Sequence, residues 1–231
     1  RSVRPRLFSE SEYLQALQLL LHPDTEDIER GMQAAFVFLL GFRFGLRAQE
    51  AIGLLRSDWC EAAGLTWVLV QSNSIRGLKS SVHSRRAVPL VFQLSAVERS
   101  LVTSILTRYT TRLGNADNKP ILADKEGNLT PFAGSIPSDI ARTLKLVTGN
   151  SRMSLHQARH GFCNVLSSAL FEIDTSLAQK LTESVDKESL QKILLGNHGL
   201  PSRRGSMAIA RALGHHSPRT QFRSYNRMMT E

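Results

Sequence analysis

Apolar residues recur at helical spacing through most of the chain, and stretches of β-type alternation are few. Ser9 to Leu21 predicts a short helix with Leu14, Leu17 and Leu21 on one face, ended by His22-Pro23-Asp24. Gly31 to Phe44 is apolar nearly all round, which predicts a buried central helix. Gly45 breaks it, and a second helical pattern follows through Ile52, Leu54 and Leu55. Thr66 to Gln71 and Arg86 to Leu90 have strand propensity, and the polar, basic run from Ser72 to Arg85 between them reads as a hairpin tip. Gln93 to Arg112 is an amphipathic helix. Pro120-Ile121-Leu122 is a short extended segment. A further helix starts at Ser135 or Ser138 and runs to about Val147, before Gly149.

The second half is also helical. Ser154 with Gln157 three residues on makes a capping-box pattern, and the helix it opens carries Phe162, Val165, Leu166 and Leu170 as a core-facing stripe. Asp174 to Leu195 reads as one or two helices of mixed charge, and Gly196 to Gly205 as a loop. Ser206 is the expected cap of a short helix ending at Leu213, with Gly214 as its stop. Ser217-Pro218 starts a last helix that bears Thr220, Phe222, Arg223, Tyr225 and Arg227. The expected class is α+β, mainly α-helical with a small antiparallel sheet.

Composition narrows the partner more than the fold. The chain has 231 residues, 42% of them hydrophobic, enough for one large domain. Lys and Arg number 29 against 20 Asp and Glu, so the net charge is +9 and a polyanion, most often nucleic acid, is the expected partner. No apolar run is long enough to span a bilayer, and no membrane role is expected. Cys60 and Cys163 are too few for a disulfide framework or zinc cluster and read as small core residues of a reduced, intracellular protein.

The candidate chemistry centres on His156 and Arg159. They lie one turn apart at a helix start, where unpaired N–H groups and the helix dipole favour an anion. Arg47 follows a buried helix and a glycine, so its charge must face a cleft or find a partner, and Glu50 is three residues away. His156-x-x-x-His160 with His215-His216 also suggests a metal. However, Gln157 replaces the glutamate a zincin motif requires, and Arg159 would repel a cation, so no metal is expected.

Taken together, these segments resemble the tyrosine recombinases, the phage integrase family. Gly45-Leu46-Arg47-Ala48-Gln49-Glu50-Ala51 resembles that family's G-L-R-x-x-E-A segment. Lys79 with Arg85-Arg86-Ala87-Val88-Pro89-Leu90 resembles its hairpin lysine and R-x-V-P-L strand. His156-x-x-Arg159-His160 matches the H-x-x-R-H box, Leu213-Gly214-His215 resembles the L-G-H box, and Tyr225 follows. Several boxes in order are far more specific than any one. Three spacings depart from the usual pattern. Tyr225 comes ten positions after His215, with Ser224 in the commoner slot. About fifty residues separate Arg159 from Gly214, so Asp174 to Arg204 is read as an insertion. Lys79 is also further from Pro89 than in compact members, which leaves Arg76 open to share its role.

The resemblance implies a catalytic set of Arg47, Lys79, His156, Arg159, His215 and Tyr225, supported by Glu50 and His160. It implies site-specific cutting and rejoining of double-stranded DNA through a 3′-phosphotyrosyl intermediate, without cofactor, ATP or metal, in the service of a mobile element in the cytoplasm, at the nucleoid. Arg76, Arg85, Arg86, Arg203, Arg204 and Arg219 are the expected contacts to the DNA backbone. Residues 1–8 read as a linker remnant and 9–231 as the catalytic domain. A separate N-terminal clamp domain is expected to lie outside this chain. The implied assembly is a homotetramer on paired DNA sites, with a monomer as the state of an isolated fragment. A non-cutting DNA-binding protein on the same fold and a type IB topoisomerase-like relaxing enzyme are the alternatives.

Overall fold

The computed structural model describes residues 9–22, 27–77, 85–170, 190, 192–194, 203–215 and 217–218. The expected linker at 1–8 and nearly all of the expected insertion lie outside them, as does the last helix beyond Pro218.

Helix α1 (Glu10–Leu20) opens with a complete Ser9–Glu12 capping box. Its buried face is Tyr13, Ala16, Leu17 and Leu20, turned slightly from the expected Leu14–Leu17–Leu21 stripe. The cause is Tyr13, whose hydroxyl donates to Glu98 at 2.8 Å and draws that edge inward. Helix α2 (Ile28–Arg43) is capped by Asp27 and buried almost along its whole length. It packs on α1, on α4 (Ala96–Leu113), on α5 (Ile136–Thr148) and on α6 (His156–Leu170). A helix buried on every side needs apolar residues on every side, which Ala34 to Leu40 supply.

The short helix α3 (Ala48–Ile52) follows, and then three antiparallel strands in chain order: β1 (Trp59–Ala62), β2 (Leu65–Val70) and β3 (Arg86–Pro89). Trp59 pairs with Val68, Val68 with Val88, and Val70 with Arg86. Strand β1 was not expected. Its four residues include an exposed glutamate and alanine, so only its pairing with β2 makes it a strand. Cys60 lies on it and is only part-buried, which corrects the expectation of a core residue. Cys163 is fully buried in α6, where burial pushes its thiol up to about 12.

Helix α4 starts at Ala96 rather than Gln93, because Ser95 and Glu98 form its capping box. Ser135 starts α5, with Pro137 in the first turn, and Gly149 ends it in the left-handed region. In α6, every residue from Gln157 to Leu170 is buried. Helix α7 (Arg203–Ala212) begins three residues before Ser206, so Ser206 lies inside it rather than capping it. It packs on α6 and β3. Among the described residues no helix is long and apolar enough to cross a membrane.

Candidate anion site

The site forms where α3, β3, the start of α6 and the turn after α7 meet. The sharp break after α2 depends on Gly45, whose φ is +62°. A Cβ there would also lie 2.3 Å from the Phe162 ring, so the position excludes side chains twice over. The break turns Leu46 inward and leaves Arg47 at the start of α3.

Glu50 is the hub. It is buried, and its carboxylate accepts from Arg47 Nη1 at 2.8 Å and from the Arg47 backbone N–H at 2.8 Å. Arg86 grips the same carboxylate from the other side, Nη1 to Oε1 at 3.1 Å and Nη2 to Oε2 at 2.8 Å. Arg159 Nη1 lies 4.0 Å from Oε2. Burial alone would raise the Glu50 pKa. The hydrogen bonds and charge of Arg86, the Arg47 backbone bond and the charge of Arg159 outweigh it and hold the carboxyl at about 2.

Arg159 is fully buried one turn into α6. Its Nη1 donates to the Gly45 carbonyl, and its Nη2 to the Leu213 carbonyl, while Nη2 lies 3.4 Å from His215 Nε2. One guanidinium therefore joins the break after α2 to the turn after α7. That turn is fixed by the His215 N–H bond to the Ala210 carbonyl at 2.8 Å and by Gly214 at φ +65°. His215 is buried, and burial together with Arg159, Arg47 and Arg86 drives its pKa down to about 4. His156 opens onto the cleft. Partial desolvation and the charges of Arg159 and Arg47 lower its pKa too. Its ring meets the buried His160 ring edge-on at 4.7 Å. The Gln157 amide oxygen accepts from both the N–H and the hydroxyl of Ser154, so Ser154 donates here where a helix cap was expected to accept.

An open cleft of about 590 Å³ lies over this cluster, lined by Leu46, Arg47, Ala48, Gln49, Glu50, Gly77, Leu155 and His156. Among the described residues, three guanidiniums face a single carboxylate, and both imidazoles are held toward neutrality. Such a site has excess positive charge, short-range donors and an opening, which suits an oxyanion with several oxygens.

Two expected DNA contacts need correction. Arg76 is 3% exposed and turned inward. Its Nη2 donates to Asp58 Oδ2 at 2.9 Å, its Nε to the Gln71 carbonyl at 3.0 Å, and its Nη1 to the Glu50 carbonyl. It ties the end of β2 to α3 and cannot offer its charge to a backbone outside. Arg86 is likewise buried against Glu50. Arg85, by contrast, is exposed. Arg203 and Arg204 open α7, but their side chains lie outside the described residues, as do Lys79, Arg219 and Tyr225. Asp58 was missed. It is a fully buried carboxylate that also accepts from Gln71 Nε2 at 2.9 Å, and no periodicity marks it. The inward direction of Arg86 had a signal: it alternates with Val88 on the buried face of β3.

Solved structures share the architecture. A XerH site-specific recombinase in a post-cleavage complex with palindromic difH substrate aligns over 98% of this chain and 52% of its own, with TM-score 0.59 and 16% identity. A XerA recombinase aligns over 96% and 59%, with TM-score 0.52 and 18% identity. A lambda integrase dimer bound to a COC′ core site aligns over 100% and 51%, with TM-score 0.53 and 16% identity. The chain thus spans between half and three fifths of the length of these neighbours. No family model matches it, and no curated protein does. Mainly helical with one small antiparallel sheet, the chain has the fold of the tyrosine recombinase catalytic domain.

Proposed function

We propose that this chain cuts and rejoins double-stranded DNA as the catalytic part of a site-specific recombinase. The observation that carries the reading is the three-arginine cluster around Glu50, opening into the cleft beside His156. A DNA phosphodiester resists attack because it is already anionic, and more charge builds on its non-bridging oxygens in the pentacoordinate transition state. Arg47 and Arg159 neutralise that charge, and His215 donates to a phosphate oxygen. His156, kept neutral by its surroundings, accepts the proton of the nucleophile. Tyr225 attacks phosphorus, the P–O5′ bond breaks, and a 3′-phosphotyrosyl link forms. Lys79 protonates the departing 5′-oxygen. Rejoining runs the same steps backward with another 5′-hydroxyl. The covalent link conserves the bond energy, so the chemistry calls on no ATP, and the arginines supply the charge neutralisation that a metal would otherwise give.

The roles of Tyr225 and Lys79 rest on the resemblance of the sequence segments. So do the wider terms of the proposal: a homotetramer on paired DNA sites, a task for a mobile element, and a place at the DNA of the cytoplasm. The XerH neighbour is a post-cleavage complex with its difH substrate and the lambda integrase neighbour is bound to a core site, which supports the reading without carrying it.

The test is covalent trapping. The protein is mixed with DNA from the flanks of its own gene, denatured in SDS and examined for a protein–DNA adduct. An adduct lost with Tyr225→Phe and kept with Ser224→Ala supports the proposal and fixes which residue attacks. DNA binding without any adduct means a non-cutting binder. Adduct formation with relaxation of supercoiled plasmid, independent of a particular site or second duplex, means a topoisomerase-like enzyme.

A further inference from the structure

Arg86 stands between two groups that the chemistry needs and touches both. It is the first residue of β3, and its side chain is 4% exposed. Two of its nitrogens grip the Glu50 carboxylate, at 3.1 and 2.8 Å, and that carboxylate holds the side chain and backbone N–H of Arg47. Its Nε donates to the Ala212 carbonyl at 2.8 Å, at the end of α7. Gly214 covers the guanidinium so closely that a Cβ there would lie 2.9 Å from Arg86 Nη1. The next residue is His215. A single planar group thus joins the loop that presents Arg47 to the turn that presents His215, although Arg47 and Ala212 lie 165 positions apart. The fork geometry of a guanidinium allows this, because three fixed N–H directions serve a carboxylate and a carbonyl at once. A lysine ammonium carries the charge without the fork.

We propose that Arg86 is a positioning residue of the strand-cutting site. It sets Arg47 through Glu50, and His215 through Ala212 and Gly214, so that donors from the two ends of the fold converge on one phosphate. Its Nε, Nη1 and Nη2 are all turned to Glu50 and the Ala212 carbonyl, so it acts on the phosphate through Arg47 and His215 rather than by touching it. The proposal rests on the reading of the site given above.

The experiment compares wild type, Arg86→Met and Arg86→Lys in the full chain. It measures the rate of covalent adduct formation at saturating DNA, the Kd for the same DNA, and the NMR titration of His215. Arg86→Met is expected to slow adduct formation about 100-fold, the scale of a misplaced reacting group, with Kd changed less than about threefold. His215 is expected to titrate at higher pH in Arg86→Met, because a positive neighbour is gone and Glu50 loses its main partner. Arg86→Lys should recover part of the rate and keep His215 titrating low. A residue that only held the fold together would lower the folded fraction and leave the rate per folded molecule at the wild-type value. Weaker DNA binding with an unchanged rate at saturation would make Arg86 a phosphate contact and overturn the proposal. So would wild-type rates in both variants. Should Arg86→Met fail to fold, Arg86→Lys decides: a wild-type rate there overturns the proposal, and a roughly tenfold loss at unchanged Kd supports it. If wild type forms no adduct, the strand-cutting reading fails first. The His215 titration then still decides whether Arg86 sets that turn, and an unmoved titration overturns it.

Discussion

Arg43 and Arg47 lie one helical turn apart in sequence and belong to opposite kinds of charge cluster. Arg43 closes α2 and is 1% exposed. Its Nε donates to Glu98 at 2.6 Å and its Nη2 to Glu10 at 2.6 Å. The guanidinium carbon sits 5.0 to 5.1 Å from the rings of Tyr13, Phe42 and Phe92. Here two carboxylates answer one guanidinium, aromatic rings close over it, and α1, α2 and α4 are pinned together. Around Glu50 the ratio among the described residues is inverted, with three guanidiniums on one carboxylate under an open cleft. Burial of an arginine therefore marks neither structure nor function. The local charge balance and the opening to solvent distinguish the two. A cluster of matched charges under aromatic rings is closed to a ligand, whereas one that is rich in guanidiniums and opens on a cleft suits an anion.

The largest expected effect follows from the closed cluster. Arg43→Met strands Glu98 and Glu10 beside apolar rings, and should cost about 3–5 kcal/mol of stability. Urea unfolding would show this as a lower midpoint. Arg159→Lys tests the other cluster. It keeps a charge but loses the fork that spans the Gly45 and Leu213 carbonyls. It should slow adduct formation about 10²- to 10³-fold and destabilise the protein less than Arg43→Met does. A protein in which Arg159→Lys cuts at the normal rate while Arg43→Met abolishes cutting without loss of stability would reverse the assignment of the two clusters.

Acid provides a subtler contrast. The His215 pKa falls from 6.5 to about 4 in the folded chain, so the unfolded chain binds that proton more readily. The stability His215 contributes is complete above about pH 6.5 and is lost as pH falls from there toward 4. Glu50, moved from 4.5 to about 2, contributes fully above about pH 4.5 and loses its share below that. Glu98 shifts in the same direction, because its bonds and charge contact with Arg43 outweigh the opposing effect of burial. Only the open cluster should therefore soften the protein between pH 6.5 and 4.5, by at most about 1.4 kcal/mol per pH unit for a single group. Melting temperatures measured across that window should fall in wild type and fall less in His215→Gln. A flat wild-type curve would mean that the arginines do not act on His215 as described.

Much of this fold is legible in the sequence because helices announce themselves locally. The buried α2 and the Gly149 and Gly214 stops depend on residues within a few positions; the Ser95 cap is as local, yet the expected start of its helix lay at Gln93. What was not legible depends on distant partners. Strand β1 exists because β2 lies beside it, and the inward turn of α1 follows from Glu98 in another helix. The site divides the same way. The segments around Arg47, Arg159 and His215 could be found as short patterns, and so could Glu50 as the neighbour of Arg47. Whether a basic residue faces outward could not be found, because Asp58 and Glu50 turn Arg76 and Arg86 inward from far along the chain. For Arg86 the strand alternation carried part of the answer. For Arg76, in an irregular segment, no period existed to read.

The smallest expected effect separates the arginines that look most alike in sequence. Arg85 is exposed beside β3 and Arg86 is buried within it. A solvent-facing arginine that contacts a phosphate releases about one counterion equivalent on binding. Arg85→Gln should therefore weaken DNA binding about evenly across sequences and reduce the slope of log Kd against log salt by about 0.9. Arg76→Gln should leave that slope unchanged, because its guanidinium already faces Asp58 and the Glu50 carbonyl. Its effect should appear instead as lost stability, since Asp58 is left without its ion-pair partner in a fully buried place. Binding isotherms at several salt concentrations measure both. A reduced slope for Arg76→Gln would mean that Arg76 turns outward on DNA, and that the inward ion pair describes only the protein without its substrate.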